Sequence, residues 1–283
     1  MAVRNYPARR RQRPRRRRRR LRRRVERRPI LHNRRLSGQI MGLRPATQRI
    51  RTWIRVPGML CTAEIFTAMD PYLCLGGATV DTRIEGTTLD EGAEHLLELA
   101  RRQEGPVGII GLSLGAIVAM AAAVKDPSIF HAAVLISTNP RGPRPEQMQA
   151  WEELVRRNTA GAFPEIASDL APALFAPARI TAALLRTGTA MAEHLGPRVF
   201  ADQLGIQRSR RDLRPDLQRV TARTLVLAGS EDQLCTPEMH HDIATAMPHA
   251  ELHTMSGAGH LMPLEGPEAT ANTINHWNRR KTS

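Results

Sequence analysis

A single serine stands where an apolar run meets a helical pattern, in the sequence G-L-S-L-G at residues 111–115. Residues 107–112 are continuously apolar, which predicts a buried strand, and residues 114–125 are rich in alanine, which predicts a buried helix. A tight strand-to-helix turn lifts a serine hydroxyl above the sheet edge, at a helix N-terminus that favours developing negative charge. Ser113 is therefore our candidate nucleophile, and the alternative is a turn serine with no chemical role.

A serine hydroxyl is a poor nucleophile unless a base takes its proton and an acid orients that base. The segment G-S-E-D-Q-L-C-T-P follows a late apolar run and offers Glu231 and Asp232. The segment S-G-A-G-H-L-M-P-L-E follows the last predicted strand and places His260 after two glycines, in a loop that lets its imidazole reach Ser113. We predict that His260 is the general base and Asp232 the orienting carboxylate, with Glu231 a solvated loop charge.

Other histidines are predicted to be surface or packing residues because they lie on the wrong elements for catalysis. Neighbouring residues point in different directions on a helix, so the His-His pair at positions 240 and 241 does not suggest a metal site. The histidines concerned are His240, His241, His249 and His253. We predict no metal and no organic cofactor.

Acyl transfer also needs two backbone N–H groups to stabilise the oxyanion of the tetrahedral intermediate. One candidate donor is the amide of Leu114, directly after the nucleophile. The other should come from the loop V-P-G-M-L-C at residues 56–61, after the first strand. We nominate Met59, with Leu60 as the competing donor.

The elements that must position these residues are short apolar strands alternating with helical patterns from Arg51 onward. This alternation predicts an α/β fold, with a mostly parallel sheet covered by helices on both faces. The predicted strands are residues 52–56, 78–81, 107–112, 132–137, 224–228 and 251–255. The predicted helices of the core are residues 89–102, 114–125 and a final helix from about 267 to 279.

Residues 139–219 interrupt the alternation, over a length far greater than ordinary connections. The interval shows helical patterns at 146–157, 164–174 and 180–195 and no clear strand. We predict an inserted helical lid over the carboxyl edge of the sheet, with residues 45–138 and 220–283 forming the core. Six apolar residues could line a substrate pocket there, although packing within the lid is the simpler role: Met148, Trp151, Phe163, Leu174, Phe175 and Phe200.

Nearly all the excess positive charge lies at the N-terminus. Residues 1–44 contain 19 arginines and one acidic residue, whereas the other 239 residues contain 23 basic and 26 acidic side chains. Such a segment repels itself and has few apolar groups, so we predict a disordered tail. It could be a nucleic-acid or anionic-surface arm, a targeting segment, or a stretch upstream of a true start at Met41.

Cysteine content and hydropathy bear on the compartment. The chain has three cysteines, Cys61, Cys74 and Cys235, in no metal-binding spacing, so we predict a reducing, cytoplasmic environment in which each is a small buried residue. The best apolar run, residues 116–124, is less than half of the roughly 20 residues that a membrane span needs. We therefore expect no membrane partner, and the sequence leaves the oligomeric state open.

Residues 52–277 resemble the α/β-hydrolase superfamily, in particular small bacterial hydrolases that open with P-G-[LM]-L-C. The matching segments are V-P-G-M-L-C, G-L-S-L-G, the Asp232 loop, the His260 loop and R-R-D-L-R-P-D-L at residues 210–217. Pro57 departs from the pattern, since many members have histidine there, and this makes the second oxyanion donor less secure. The resemblance implies the α/β-hydrolase fold and a triad in the chain order serine, acid, histidine.

The resemblance implies a serine hydrolase acting on a small ester, thioester or lactone through an acyl-enzyme. Dehalogenases and epoxide hydrolases of this fold carry aspartate at the position of Ser113, so the serine argues against both. Carbon–carbon bond hydrolysis is an open alternative, because the same triad serves it. Two further alternatives are a binding protein on this scaffold and a nucleic-acid-associated protein that uses the arginine-rich tail.

Overall fold

A six-stranded parallel sheet forms the centre of the structure, a computed structural model that describes residues 49–280. The strand order is β2-β1-β3-β4-β5-β6, and each neighbouring pair is parallel. The strands are β1 (Thr52–Val56), β2 (Ala78–Asp81), β3 (Val107–Leu112), β4 (Ala132–Ile136), β5 (Arg223–Gly229) and β6 (Ala250–Met255). Every predicted strand is present to within one residue, and the predicted α/β fold is confirmed. The predicted disordered tail lies outside the described residues.

Burial along the strands follows their position in the sheet. Every residue of β3 and β4 is buried, which matches their continuous apolar sequence, whereas the edge strands β2 and β6 expose several side chains. Successive residues of a strand point to opposite faces. Accordingly, Ile109 joins a hydrophobic cluster on one face of the sheet and Ile110 joins a second cluster on the other face.

Helices cover both faces, as predicted. The helices are α1 (Leu89–Arg101), α2 (Leu114–Lys125), α3 (Pro145–Thr159), α4 (Phe163–Leu170), α5 (Ala182–Arg208), α6 (Arg214–Leu217), α7 (Pro237–Ala246), α8 (Met262–Glu265) and α9 (Pro267–Arg279). Helix α1 begins with a capping box, in which Thr88 and Glu91 satisfy each other's backbone N–H groups. Helices α1 and α2 pack on the first cluster, and α9 packs on the second.

Within residues 49–280, no helix combines the length and the apolar character that crossing a bilayer would require.

The interval between β4 and β5 contains α3 to α6 and short 3-10 turns, with no strand among its described residues. Trp151, Phe163 and Phe200 are buried together in a third hydrophobic cluster, with Met148 half-buried against it, which confirms the predicted packing within the insertion. The remaining two predicted apolar residues, Leu174 and Phe175, pack instead against the second cluster. That the insertion acts as a lid stays a prediction.

Helix α5 is longer than predicted, because the expected end at residue 195 is a break and not a terminus. Gly196 has φ 76° and ψ 174°, and Pro197 begins a second helical segment that runs to Arg208. Proline suits the first turn of a helix, where its missing N–H has no acceptor, so the Gly-Pro pair both ends one segment and starts the next. The second segment carries Gln203, which no motif in the sequence indicated.

Gly115 allows the turn at Ser113 to pack against the first strand. A Cβ atom at this position would lie 2.4 Å from the carbonyl oxygens of Val56 and Pro57, which are backbone atoms that cannot easily move. We expect Gly115→Ala to lower the free energy of unfolding by about 1–3 kcal/mol or more, as measured by urea denaturation.

Gly188 is the matched control for this prediction. A Cβ atom there would meet only the Phe175 ring at 3.8 Å, an ordinary contact, within helix α5. Gly188→Ala should leave stability unchanged or raise it by about 0.5–1 kcal/mol. Equal stabilities for the two variants would contradict the packing argument.

Candidate active site

Ser113 lies at the turn between β3 and α2 in a strained backbone conformation. Its φ is 51° and its ψ is −116°, a region that non-glycine residues rarely occupy. The surrounding hydrogen bonds maintain this geometry: the Ser113 N–H donates to the Ile136 carbonyl at 2.8 Å, and its own carbonyl accepts from the Thr138 hydroxyl at 3.0 Å. The side chain is partly exposed at the N-terminus of α2.

The structure brings together the three side chains predicted to form a triad. His260 Nε2 lies 2.8 Å from Ser113 Oγ, and His260 Nδ1 lies 2.9 Å from Asp232 Oδ2. With Asp232 ionised, His260 Nδ1 carries the ring proton and donates a hydrogen bond to the carboxylate. Nε2 is then free to accept a hydrogen bond from the serine hydroxyl. His260 and Asp232 are each 4% exposed. The arrangement can move a proton from Ser113 to His260.

The surroundings of Asp232 favour its ionised form. Its Oδ1 accepts hydrogen bonds from the N–H groups of Leu234 and Cys235, both at 2.9 Å. Burial acts to raise the pKa of Asp232, but the charge and hydrogen bond of His260 and the two backbone donors outweigh burial, and the pKa lies below its ordinary value of 3.8. Glu231, the competing acid, is exposed, and the structure shows Asp232 and not Glu231 against the imidazole.

The lowered pKa of Asp232 predicts a pH-dependent contribution to stability. The ionised carboxylate stabilises the folded state fully above its unfolded pKa of 3.8, and this contribution is lost as the pH falls through the lower folded pKa. Asp232→Asn should therefore lose stability relative to wild type at neutral pH, and the difference should shrink below about pH 4. Urea denaturation across this range measures it. Glu231→Gln, the exposed neighbour, is the control, and an equal difference at every pH would contradict the prediction.

The loop after β1 presents a free amide to the same region. A turn forms from Gly58 to Cys61, with the Cys61 N–H donating to the Gly58 carbonyl at 3.2 Å. The turn lies against Ser113, because a Cβ atom on Gly58 would be 3.2 Å from Ser113 Cβ. The Leu60 N–H donates to the Gln203 side chain at 3.0 Å, whereas the Met59 N–H donates to no acceptor in the described part of the chain. Of the two candidate donors in this loop, Met59 and Leu60, Met59 is thus the one available to a ligand.

The predicted oxyanion donor outside this loop is the amide of Leu114, the first residue of α2. The first N–H groups of a helix have no acceptor within the helix. This amide is therefore also available beside Ser113.

Comparison with known proteins identifies the family. A model of the alpha/beta hydrolase family matches residues 51–273, which is most of the chain. This chain belongs to the alpha/beta hydrolase family. The resemblance to the α/β-hydrolase superfamily seen in the sequence is confirmed.

Proteins similar to this chain differ in size and role. The chain is 28% identical over 194 residues, 64% of its length, to the polyketide synthase ThaQ of Burkholderia thailandensis, but spans only 9% of that protein. A thermophilic esterase from Thermogutta terrifontis has a TM-score of 0.72 at 24% identity, covering 81% of this chain and 89% of that one. The enol-lactonase from Burkholderia xenovorans has a TM-score of 0.71 at 18% identity, covering 82% and 93%. These structural similarities show the shared fold.

Glu265 holds the loop that carries His260 in place. One oxygen of its carboxylate accepts from the N–H of Gly259 at 2.9 Å and from the N–H of Ala176, in the insertion, at 3.1 Å. The Leu261 N–H donates to the Leu174 carbonyl, also in the insertion, at 2.9 Å. In the sequence Glu265 is only the last residue of the motif around His260, and nothing there indicates this role, since Ala176 lies 89 positions away along the chain.

His240 is buried behind the turn that carries Ser113. Its Nε2 accepts from the Thr138 N–H at 2.9 Å, and Nδ1 donates to the Thr236 carbonyl at 3.0 Å. Burial lowers the pKa of His240, so the imidazole is neutral in this role. Of the two predicted roles for His240, surface or packing, the structure shows packing. The same Thr138 donates a hydrogen bond from its hydroxyl to the Ser113 carbonyl.

In the described part of the chain, one group of residues offers three potential metal ligands within 4.8 Å of one another: Asp232, Cys235 and His260. Two of the three are already hydrogen-bonded to each other. Burial raises the pKa of the Cys235 thiol to about 12, so the thiol keeps its proton at neutral pH and is a poor ligand. The chemistry of this group favours proton transfer over metal binding.

Proposed function

We propose that this protein is a serine hydrolase that cleaves a carboxylic ester, thioester or lactone through an acyl-enzyme. The observation that supports the proposal is the continuous hydrogen-bonded chain from Ser113 through His260 to Asp232, at 2.8 and 2.9 Å. A hydroxyl, an imidazole and a buried carboxylate in this order are the components of nucleophilic acyl transfer.

In the proposed mechanism, Ser113 Oγ attacks the carbonyl carbon while His260 Nε2 takes the hydroxyl proton. Asp232 stays ionised, holds the imidazole tautomer and stabilises the imidazolium that forms. The amides of Met59 and Leu114 donate to the oxyanion. His260 then protonates the leaving group, and a water molecule, activated by the same imidazole, hydrolyses the acyl-enzyme. The chemistry needs no metal or organic cofactor.

The structural neighbours agree with this class of reaction, since two of them are described as an esterase and an enol-lactonase. We further propose that residues 139–219 act as a lid that shapes the acyl pocket.

The three cysteines are free, which supports a reducing compartment, and the cytoplasmic location stays a prediction. Cys61 and Cys235 are buried as predicted, but the prediction was wrong for Cys74, which is exposed in a loop after the 3-10 turn of residues 63–69.

Reaction with a fluorophosphonate probe tests the proposal. The folded protein should be labelled once, with the adduct located on Ser113 by peptide mass spectrometry, and urea-denatured protein should not be labelled. A folded protein that the probe does not label would contradict the serine mechanism.

A substrate comparison separates ester cleavage from the carbon–carbon alternative. p-Nitrophenyl esters of increasing acyl length should be turned over faster than a dienol-ketone of the β-diketone type. The opposite order would assign the same triad to carbon–carbon bond hydrolysis.

A further inference from the structure

Gln203 reaches from the insertion to the turn that carries the free Met59 amide. It lies on the second segment of α5, is 3% exposed, and accepts the Leu60 N–H on its side-chain oxygen at 3.0 Å. The two residues are 143 positions apart in the chain. The bond is buried, so no water molecule can replace Gln203 as the acceptor without entering the packed interface.

Leu60 needs such an anchor because its backbone is strained. Its φ is 61°, in the left-handed region that favours glycine, and its side chain is buried in the third cluster with Phe200 and Leu204 of α5. A residue keeps this conformation only when its surroundings determine it. Gln203 determines it through the backbone, and the two apolar neighbours determine it through the side chain.

The orientation of the Leu60 amide sets the shape of the whole turn. The peptide that joins Met59 to Leu60 is the central peptide of the Gly58–Cys61 turn, and a positive φ at its second residue is typical of a type II turn. Without the Gln203 acceptor, the Leu60 N–H loses its partner. Leu60 could then relax to negative φ by rotation of this peptide. The Met59 N–H belongs to the preceding peptide, between Gly58 and Met59, which is joined to the central peptide through the Met59 Cα. A turn that is no longer held at Leu60 would therefore hold the Met59 N–H less firmly in place.

We propose that Gln203 is a positioning residue that fixes the oxyanion turn, so that the helical insertion completes the active site as well as covering it. The inference rests on the proposed function, because it concerns the donor that this function assigns to Met59. Gln203 itself touches no reacting atom. It acts through Leu60, and its effect should appear in the transition state and not in substrate binding.

The experiment compares Gln203→Leu with wild type in p-nitrophenyl ester hydrolysis and in binding of a trifluoromethyl ketone, which forms a tetrahedral adduct with a serine. We expect kcat to fall about 10- to 100-fold while KM changes less than about threefold. Affinity for the ketone should weaken by a factor similar to the fall in kcat. Gln203→Glu keeps an acceptor oxygen at the same distance and should recover much of kcat.

Gln207, one turn later on the same helix, provides the matched control. It is also buried, but its side chain pairs with Arg210 and not with the turn at Leu60. Gln207→Leu should have a kcat within about threefold of wild type. Melting temperatures of both variants show that each is folded under the conditions of the assay. If Gln203→Leu does not fold, Gln203→Met, which keeps the length of the side chain, takes its place.

Three outcomes would overturn the inference. The first is an unchanged kcat in the folded Gln203 variant, and the second is a fall in kcat equal to that of Gln207→Leu. The third is a rise in KM while the affinity of the active site for the ketone is unchanged. A wild-type protein that neither hydrolyses esters nor reacts with the fluorophosphonate would instead contradict the proposed function. The two failures are therefore distinguishable.

Discussion

Ser113→Ala should lower kcat for ester hydrolysis by about 10⁴- to 10⁶-fold and leave KM nearly unchanged. The substitution removes the atom that would form the acyl-enzyme, and no other hydroxyl among the described residues is hydrogen-bonded to His260. What activity remains should come from the oxyanion donors and substrate binding alone. Steady-state kinetics with p-nitrophenyl esters, together with loss of fluorophosphonate labelling, measures the effect.

Non-additivity gives a stricter test of the same assignment. His260→Ala should cost about as much as Ser113→Ala, and the double variant should be no slower than either single variant, because the residues act as one unit. His253→Ala, an exposed residue on β6, is the control and should retain wild-type kcat. Effects that multiply in the double variant would mean that the two side chains do not share one step.

Met59→Pro is expected to produce the second largest effect, a fall in kcat of at least about 10²- to 10³-fold. Proline lacks a backbone N–H, so the substitution deletes the amide that donates to no other acceptor in the described chain. It also suits the fold, since proline is favoured at the residue that precedes a left-handed position in a type II turn, and Leu60 has φ 61°. The free energy of unfolding should therefore change by less than about 1 kcal/mol.

Met59→Leu separates the amide from the side chain. It keeps the N–H and a half-buried apolar group, so its kcat should stay within about threefold of wild type. If Met59→Pro folds and hydrolyses esters at the wild-type rate, the oxyanion donor lies elsewhere, and the Met59 assignment is wrong.

The elements of the core could be predicted from the sequence because each has a local signature. Strand β3 is a continuous apolar run between polar segments, and α2 is apolar on all sides, so their burial and the position of Ser113 between them follow from residues 107–125 alone. Asp232 and His260 each follow a predicted strand of the same parallel sheet, and the carboxyl ends of such strands meet at one edge.

The contacts that complete the site could not be predicted, because they join segments that are distant in sequence. Nothing near Leu60 indicates that Gln203 accepts its N–H, and this one contact distinguishes Met59 from Leu60 as the free donor. The helical segment that carries Gln203 was itself missed, since the Gly-Pro pair at residues 196 and 197 looks like a terminus when read locally. The contact of Glu265 with the Ala176 N–H, 89 positions away, could not be predicted for the same reason.

The attachment of the insertion at both the Leu60 turn and the His260 loop bears on how this protein could be re-engineered. Exchanging the whole 139–219 segment for that of a homologue, in order to transplant its substrate range, would also remove Gln203 and the partners of Glu265 and Leu261. Chimeras made in this way should fold around an intact sheet and yet turn over poorly. Point substitutions at apolar side chains of α3 and α4, which leave those anchors in place, are the safer route to new selectivity.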